Sequence, residues 1–319
     1  MNKIVIDIFT KLAPIFILIG LGIWIRYIKL FKEETIEDFK KLIINISLPA
    51  ILFFAFLNVE LKFSYILIFI VIFSLCLILY FSGFIVRRIF NINSEYTSFL
   101  LTGFEFGMMG AVFFGAAFGL ENMGYIGLIG LGHEFFIWFI YVTLLKRKLE
   151  EKSSFLITLK NFIISPVIIA IVAGVLFNIL QLKNMLENFA VTGAIFQSLK
   201  YLTGLTVPLI LIIIGYNIRF DFQLLKNGIS LISVRLILIL FFVILIDFFI
   251  FNKLLHLEKI FSAALFTFAI LPPPFILPLF INKEQKDEVS YVNNILLLYS
   301  ILSITIFSIY FIMFSSNLI

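Results

Sequence analysis

Ten apolar runs of roughly 20 residues follow one another along the chain, and short segments with charged residues separate them. A helix of about 20 apolar residues crosses the hydrocarbon core of a bilayer. The pattern therefore predicts an all-α polytopic membrane protein with ten transmembrane helices. Residues 184–199 either lie on the membrane surface or extend the seventh span. The ten predicted spans cover residues 4–27, 40–58, 63–86, 96–119, 122–145, 161–182, 200–218, 228–251, 260–281 and 291–314.

The composition excludes several other classes of protein. Apolar residues make up 62% of the chain and charged residues 13%, whereas soluble domains have about 45–50% and about 25%. A soluble enzyme, a disordered protein and a disulfide scaffold are excluded, because one soluble core cannot bury so much apolar surface. The single cysteine, Cys76, allows no internal disulfide. The net charge of +5 lies in loops between spans, so it indicates membrane topology rather than nucleic-acid binding.

The distribution of Lys and Arg predicts the orientation, because cytoplasmic loops carry the excess. The loops after spans 1, 3, 5, 7 and 9 hold 16 of the 24 Lys and Arg residues, the opposite side holds 7, and Arg235 lies inside span 8. The first set faces the cytoplasm, so both termini lie outside a bacterial plasma membrane. The N-terminal segment lacks the small-residue cleavage site of a signal peptide, so we expect it to form the mature first helix.

Span 8 contains two charged residues, Arg235 and Asp247. They are separated by about 18 Å of helical rise, so they do not pair directly. We expect Arg235 to extend its charged end toward the membrane surface.

The two halves of the chain, 1–150 and 151–319, contain matching segments. KLAPIFILIGLG at 11–22 aligns with IISPVIIAIVAG at 163–174, and NISLPAILFFA at 45–55 aligns with GLTVPLILIII at 204–214. With five spans in each half, the second copy runs in the opposite orientation, as in the inverted repeats of secondary transporters. Chance similarity is the alternative, since prolines are common in apolar helices. The alignment pairs Pro14 with Pro166, Gly22 with Gly174, Ser47 with Thr206 and Pro49 with Pro208.

The ninth span reads AILPPPFILP near its middle, and this predicts a broken helix. A proline has no backbone N–H and its ring clashes with the carbonyl four residues earlier, so each interior proline costs about 3 kcal/mol. Unpaired backbone at membrane depth must be buried in protein or line a wet cavity. A simple kink near the helix end is the alternative. The prolines are Pro272, Pro273, Pro274 and Pro278.

The fourth span, at the matching position of the first half, reads TGFEFGMMG at its centre. Gly103, Gly107 and Gly110 loosen the helix and allow another backbone to approach closely. Glu105 lies near the middle of this span, where a carboxylate costs at least about 2.5 kcal/mol, so a functional role is expected. The alternative is that the span boundary is wrong and Glu105 lies near a surface.

Two broken helices at mid-membrane create a site for ions and substrate. Half-helix N-termini attract anions, and freed carbonyls bind cations. We expect residues 103–110 and 269–275 to line this site, including Ala269 and Ile270. Glu105 either carries a proton, because burial favours its neutral form, or stays ionised and binds Na⁺ together with carbonyls of span 9. Both alternatives predict transport coupled to a cation.

Two weaker signals lie in neighbouring spans. His133 and Glu134, midway through span 5, form either a proton relay or a hydrogen-bonded pair that steadies the bundle. Asn45 and Ser47, beside Pro49 in span 2, either line the cavity or compensate for the proline.

Enzyme motifs are missing from the sequence. There is no GxSxG, Walker loop, Gly-rich dinucleotide turn or clustered metal-ligand set, and HEFFI lacks the spacing of HExxH. We therefore expect no enzymatic activity, no cofactor and no firm metal site. No loop is long enough for a nucleotide-binding domain, which excludes an ATP-driven pump.

The order and spacing of six segments resemble those of the auxin efflux carrier family, the bacterial relatives of plant PIN carriers, over nearly the whole chain. The segments are APIFILIGLGIWIR (13–26), NISLPAILFF (45–54), GFEFGMMG (103–110), SPVIIAIVAGVLFN (165–178), LTVPLILIIIG (205–215) and LPPPFILP (271–278).

The resemblance implies ten helices in two inverted five-helix repeats, similar to bile acid:sodium symporters. Spans 4 and 9 would be unwound and cross at the membrane centre. Spans 1, 2, 6 and 7 would form a scaffold, and spans 3–5 and 8–10 a core that moves in an elevator-like step. Family substrates are organic anions such as indole acetate, malate and malonate, and plant relatives imply a homodimer.

The sequence departs from the family pattern at the crossing. Glu105 takes the position where the family usually has Asn, and Val112 takes that of a Pro. The added negative charge disfavours an anionic substrate unless Glu105 is protonated or cation-bound.

The sequence thus predicts a secondary active transporter that moves a small organic anion in symport with H⁺ or Na⁺. The alternatives are a sensor or scaffold in the membrane that does not transport, and an intramembrane enzyme acting on a lipid.

Overall fold

The computed structural model describes residues 3–58, 62, 64–148, 160, 163–183, 189–217, 225–282 and 284–316. Within these ranges all regular structure is helical, which confirms the predicted all-α class. The helices of these ranges are α1 (Lys3–Tyr27), α2 (Glu33–Asn58), α3 (Tyr65–Ile89), α4 (Thr97–Leu101), α5 (Ala111–Phe118), α6 (Leu120–Lys148), α7 (Pro166–Ile179), α8 (Ala190–Asn217), α9 (Leu225–Leu245), α10 (Lys259–Ala269) and α11 (Lys286–Ser316).

Short stretches of wider or tighter helix interrupt or extend these elements. A π-helical turn, Ile43–Ser47, lies inside α2, and another, Phe106–Gly110, leads into α5. Two further π-helical segments are Ile137–Tyr141, inside α6, and Ile246–Leu254, which continues α9. The turn Leu277–Phe280 follows the proline triplet as a short 3₁₀ helix.

Within the described ranges, six helical stretches are long and apolar enough to cross a membrane. Three shorter apolar helices accompany them, Phe16–Tyr27, Pro166–Ile179 and Lys259–Ala269. These helices support the membrane prediction, while the full set of ten spans stays a prediction. Residues 190–199 belong to α8, so this part of the ambiguous segment extends the seventh span, and 184–188 lie outside the described residues.

The outer surface of the bundle is apolar. Ile17 on α1, Ile85 on α3 and Ile237 on α9 are among many large apolar side chains that are more than half exposed. Water would not stabilise so much exposed apolar surface, so this surface is the one that contacts lipid.

Helix α7 begins where its sequence favours a helix start. The Ser165 side chain accepts a hydrogen bond from the Ile168 N–H at 3.2 Å, and Pro166 follows as the first helical residue. A serine cap and a proline at the first position are both favourable at a helix N-terminus. The cap fixes the point at which the second half of the chain enters the bundle.

Glycines bring two pairs of helices into close contact. In the pair α1–α8, a Cβ on Gly22 would overlap the carbonyl oxygen of Ile212. In the pair α2–α7, a Cβ on Gly174 would overlap the carbonyl oxygen of Phe53. Only a residue without a side chain lets the backbones approach this closely.

These two contacts correspond under the internal alignment. The alignment that pairs Gly22 with Gly174 and Pro49 with Pro208 also pairs Phe53 with Ile212. Each matched glycine therefore packs on the matched residue of the other repeat's second helix, which is the reciprocal pattern that two-fold related repeats produce.

Polar side chains repeat the pattern one turn further along. Arg26 donates a hydrogen bond to the Tyr216 carbonyl at 3.3 Å, and Asn178 donates one to the Phe56 carbonyl at 2.9 Å. Arg26 and Asn178 each stand four residues after a matched glycine. Each hydrogen bond joins the same two helices as the glycine contact beside it, so both helix pairs are held at two points.

Adding one methyl group to either matched glycine should destabilise the protein. We expect Gly22→Ala and Gly174→Ala each to lower the free energy of unfolding by about 1–3 kcal/mol, because the new Cβ overlaps a backbone carbonyl that cannot move aside. The measurement is the thermal unfolding midpoint in detergent.

Gly20→Ala is the matched control on α1. Gly20 has no atom within 4 Å of an added Cβ, and alanine favours a helix over glycine. A midpoint that falls equally in all three variants would contradict the close approach of these helix pairs.

Candidate functional site

The chain leaves the helical conformation in two segments that we call the first and second interrupted segments, residues 102–105 and 270–276. The first follows α4, and the second follows α10 and contains the proline triplet. Gly103 in the first segment has φ +71°, a backbone conformation that residues with a side chain rarely adopt. Glycine and prolines thus stand where the helices stop.

The two interrupted segments are joined through Glu105. Its backbone N–H donates to the Pro272 carbonyl at 2.8 Å, and its side-chain Oε2 accepts from the Phe275 N–H at 2.6 Å. Prolines 272–274 have no N–H, so Phe275 carries the first backbone donor after the triplet. A single residue therefore bonds to both a carbonyl and an N–H of the opposite segment.

Two side-chain hydrogen bonds tie the interrupted segments to neighbouring helices. The Ser303 hydroxyl on α11 donates to the Ile270 carbonyl at 2.6 Å. The Thr102 hydroxyl donates to the Cys76 carbonyl on α3 at 2.6 Å. Both bonds are buried. The bond from Ser303 supplies the donor that Pro274, four residues after Ile270, does not have.

His133 on α6 accepts a hydrogen bond from the Phe104 N–H at its Nε2 atom, at 2.9 Å. An imidazole nitrogen that accepts cannot carry a proton, so this bond assigns the proton of a neutral His133 to Nδ1. Nδ1 lies 3.4 Å from Glu134 Oε1, and the His133 side chain is 2% exposed. The geometry assigns His133 a role in holding the first interrupted segment.

The prediction that Arg235 on α9 extends toward the membrane surface is wrong. Its side chain points into the core with 1% exposure instead of reaching the surface. The guanidinium donates to the carbonyls of Leu100 at 2.8 Å, Gly103 at 2.7 Å and Leu271 at 3.2 Å. These acceptors belong to the end of α4 and to both interrupted segments.

Two aromatic rings enclose the same guanidinium. Its central carbon lies 5.2 Å from the ring centroid of Phe104 and 5.0 Å from that of Tyr299. Both distances are within the range of cation–π attraction. A charged residue inside an apolar span is a signal that could have identified Arg235 from the sequence.

A cavity of about 560 Å³ lies beside the first interrupted segment, between it and the helices α2, α6 and α7. Six residues of the predicted site line it, and so do the aromatic side chains of Phe104, Phe106 and Trp138. The Trp138 indole N–H donates to Glu134 Oε2 at 3.3 Å. The six residues are Asn45, Glu105, Gly107, His133, Glu134 and Pro274.

The remaining predicted residues do not line the cavity. Ser47 is fully buried, and Asn45, which does line the cavity, uses its amide to donate to the Lys41 carbonyl of its own helix at 2.8 Å. Gly110 lies against the side chain of Leu271. The other predicted residues are buried and do not line the cavity: Gly103, Gly110, Ala269, Ile270, Pro272 and Pro273.

The charges that face the cavity are acidic. Glu105 and Glu134 line it, and no Lys or Arg among the described residues does. The described part of the chain holds no group of three or more His, Cys, Asp or Glu side chains that suits a metal ion.

The family model for membrane transport proteins, Mem_trans, matches residues 7–155. Over these residues, just under half of the chain, the sequence matches the auxin efflux carrier family. The resemblance found in the sequence is thereby confirmed for residues 7–155, and the protein is a multi-pass membrane transport protein. The match includes Glu105 and His133, while Arg235 and the second interrupted segment lie beyond it. No curated protein matches the chain.

In this carrier the His133 acceptor should contribute measurably to stability. We expect His133→Phe to lower the free energy of unfolding by about 1–3 kcal/mol, because the buried Phe104 N–H loses its partner. His133→Gln keeps an acceptor oxygen and should lose less. Thermal unfolding of the two variants in detergent tests this, and equal losses would contradict the role of the hydrogen bond.

Proposed function

We propose that this chain is a secondary active transporter that moves a small organic carboxylate in symport with protons, and that Glu105 is the coupling residue. One observation carries the proposal: the Glu105 carboxylate accepts the first backbone N–H after the proline triplet, that of Phe275. This N–H is a site for a carboxylate, and the protein's own carboxylate occupies it.

Protonation of Glu105 would release that N–H. An ionised carboxylate is a much stronger acceptor than a neutral carboxyl group, so the bond to Phe275 weakens when Glu105 takes up a proton. A substrate carboxylate can then accept the Phe275 N–H. Protonation of Glu105 and binding of the anion to the Phe275 N–H therefore favour each other.

The surroundings of Glu105 favour the same order of events. Glu134 also faces the cavity, so an anion that enters while Glu105 is ionised meets two negative charges. His133 keeps its Nε2 as an acceptor for Phe104 and does not supply a compensating positive charge there. Neutralising Glu105 lowers the electrostatic cost of admitting an anion. The aromatic walls of the cavity suit the apolar part of a small carboxylate.

We further propose the family architecture for the whole chain, with two inverted five-helix repeats, spans 4 and 9 crossing at mid-membrane, and an elevator-like movement. The reciprocal glycine contacts of α1–α8 and α2–α7 support a rigid scaffold. The bonds of Glu105 and Arg235 across the two interrupted segments support a core that moves as one body. The cavity, between these two groups of helices, is where substrate would bind. A homodimer is proposed by analogy with plant relatives.

A second candidate substrate class follows from the cavity charge. Among the residues that the structure describes, two carboxylates line the cavity and no Lys or Arg does. This charge favours an organic cation as substrate if Glu105 stays ionised. A panel of carboxylates and amines separates the two substrate classes. Binding without flux would instead favour a sensor or scaffold.

Replacing the coupling carboxylate should separate binding from coupling. In proteoliposomes with an inward proton gradient, we expect Glu105→Gln to lose at least tenfold in uphill accumulation of the transported carboxylate, because glutamine does not titrate. Exchange of labelled for unlabelled substrate should continue, since glutamine resembles the protonated state. Accumulation at the wild-type rate would contradict the role of Glu105.

Glu134→Gln is the matched control in the same cavity. It removes the other carboxylate and leaves the bond between Glu105 and Phe275 in place, so proton-driven accumulation should persist. Equal unfolding midpoints for wild type and both variants would show that the comparison concerns transport and not folding.

We propose that both termini lie outside a bacterial plasma membrane. The single native cysteine, Cys76, is buried, so the chain needs no cysteine removed before labelling. In intact cells a membrane-impermeant maleimide should label Lys259→Cys and not Lys29→Cys, because the proposed orientation puts these two exposed positions on opposite sides of the membrane. The reverse pattern would contradict the proposed orientation.

A further inference from the structure

We propose that Arg235 is a built-in cation of the carrier. Its guanidinium occupies the carbonyl-lined position at which the two interrupted segments meet, and transport for that reason does not use Na⁺. The statement about Na⁺ rests on the proposed transport function, whereas the role of Arg235 at the crossing stands on geometry alone.

The acceptors around Arg235 are those that a broken helix leaves without partners. Leu100 lies in the last turn of α4, where carbonyls have no intrahelical donor and carry partial negative charge. Gly103 and Leu271 lie in the two interrupted segments themselves. Three carbonyl oxygens, two from residues 100–103 and one from Leu271 in the other half of the chain, thus converge on one positive group at 2.7–3.2 Å.

Arginine suits this position better than an exchangeable ion. Its planar guanidinium presents several donors at once and keeps its charge throughout the physiological pH range. The group is 1% exposed and packed between Phe104 and Tyr299, so it cannot leave during a transport cycle. The positive charge at the crossing is therefore permanent.

A permanent cation removes the conditions for a sodium site at the crossing. A hard metal ion needs several oxygen ligands, and three carbonyls that could serve already bind the guanidinium. A second positive charge beside it would also be repelled. Of the two coupling alternatives predicted from the sequence, this leaves protonation of Glu105.

The first test uses the unaltered protein. Proton-driven uptake into proteoliposomes should be the same, within a factor of about two, when Na⁺ is replaced by choline on both sides. The thermal unfolding midpoint in detergent should be equal in NaCl and in choline chloride. A requirement for Na⁺ in uptake, or a midpoint raised by Na⁺ and not by choline, would overturn the proposal.

The second test removes the guanidinium. We expect Arg235→Ala to lower the midpoint by at least about 5 °C, because three buried carbonyls lose their donor. Millimolar guanidinium should raise the midpoint of this variant, and Na⁺ should raise it more than choline does. Arg235→Lys keeps the charge without the planar donors and should fall between wild type and Arg235→Ala.

Arg87→Ala is the matched control. Arg87 also donates to two backbone carbonyls, those of Ile92 and Asn93, but it is exposed. Guanidinium at the same concentration should leave the midpoint of this variant unchanged. If guanidinium raises both midpoints, or neither, the role of Arg235 at the crossing is wrong.

The two tests separate this inference from the proposed function. If no carboxylate or amine is transported but Arg235→Ala regains stability with guanidinium, the transport proposal fails and the built-in cation stands. If uptake is proton-driven but requires Na⁺, the transport proposal stands and the inference about Na⁺ fails. If Arg235→Ala does not fold, the comparison of NaCl with choline chloride on the wild type still tests whether the crossing binds Na⁺.

Discussion

Backbone hydrogen bonding at the two interrupted segments is the constraint on which the rest of the structure depends. Membrane interior offers no water to bind an N–H or a carbonyl, so every group freed by a helix break needs a partner inside the protein. Glu105, His133, Arg235 and Ser303 bind such groups at the two breaks. His133, Arg235 and Ser303 belong to α6, α9 and α11, so the same hydrogen bonds also fix the positions of these helices.

The same requirement links architecture to chemistry. Any residue that satisfies a broken helix in lipid must be polar or charged, and such residues are the ones that bind ions and substrates. Arg235 meets carbonyls and is enclosed, so it serves the structure permanently. Glu105 meets an N–H and lines the cavity, so its bond is open to competition from a substrate carboxylate. The two breaks thus hold one fixed charge and one that a proton can neutralise.

Much of the fold was readable from the sequence, because the bilayer imposes simple rules on length and polarity. Runs of apolar residues predicted the helices, and the proline triplet and Gly103 marked where two of them stop. The predicted direction of the Arg235 side chain, toward the membrane surface, was wrong. Its direction depends on which carbonyls lie within reach, and these come from two regions far apart in the chain, residues 100–103 and Leu271.

The sequence by itself determined the all-helical membrane class, the places where helices break, the acid at the first break and the match of residues 7–155 to a transporter family. Local chemistry decides these features, since proline lacks a donor and a long apolar run suits only lipid. The tertiary structure alone decided that Glu105 bonds to the opposite segment, that His133 accepts from Phe104 and that Arg235 bridges both breaks. Such contacts depend on the relative positions of whole helices, which no local pattern specifies.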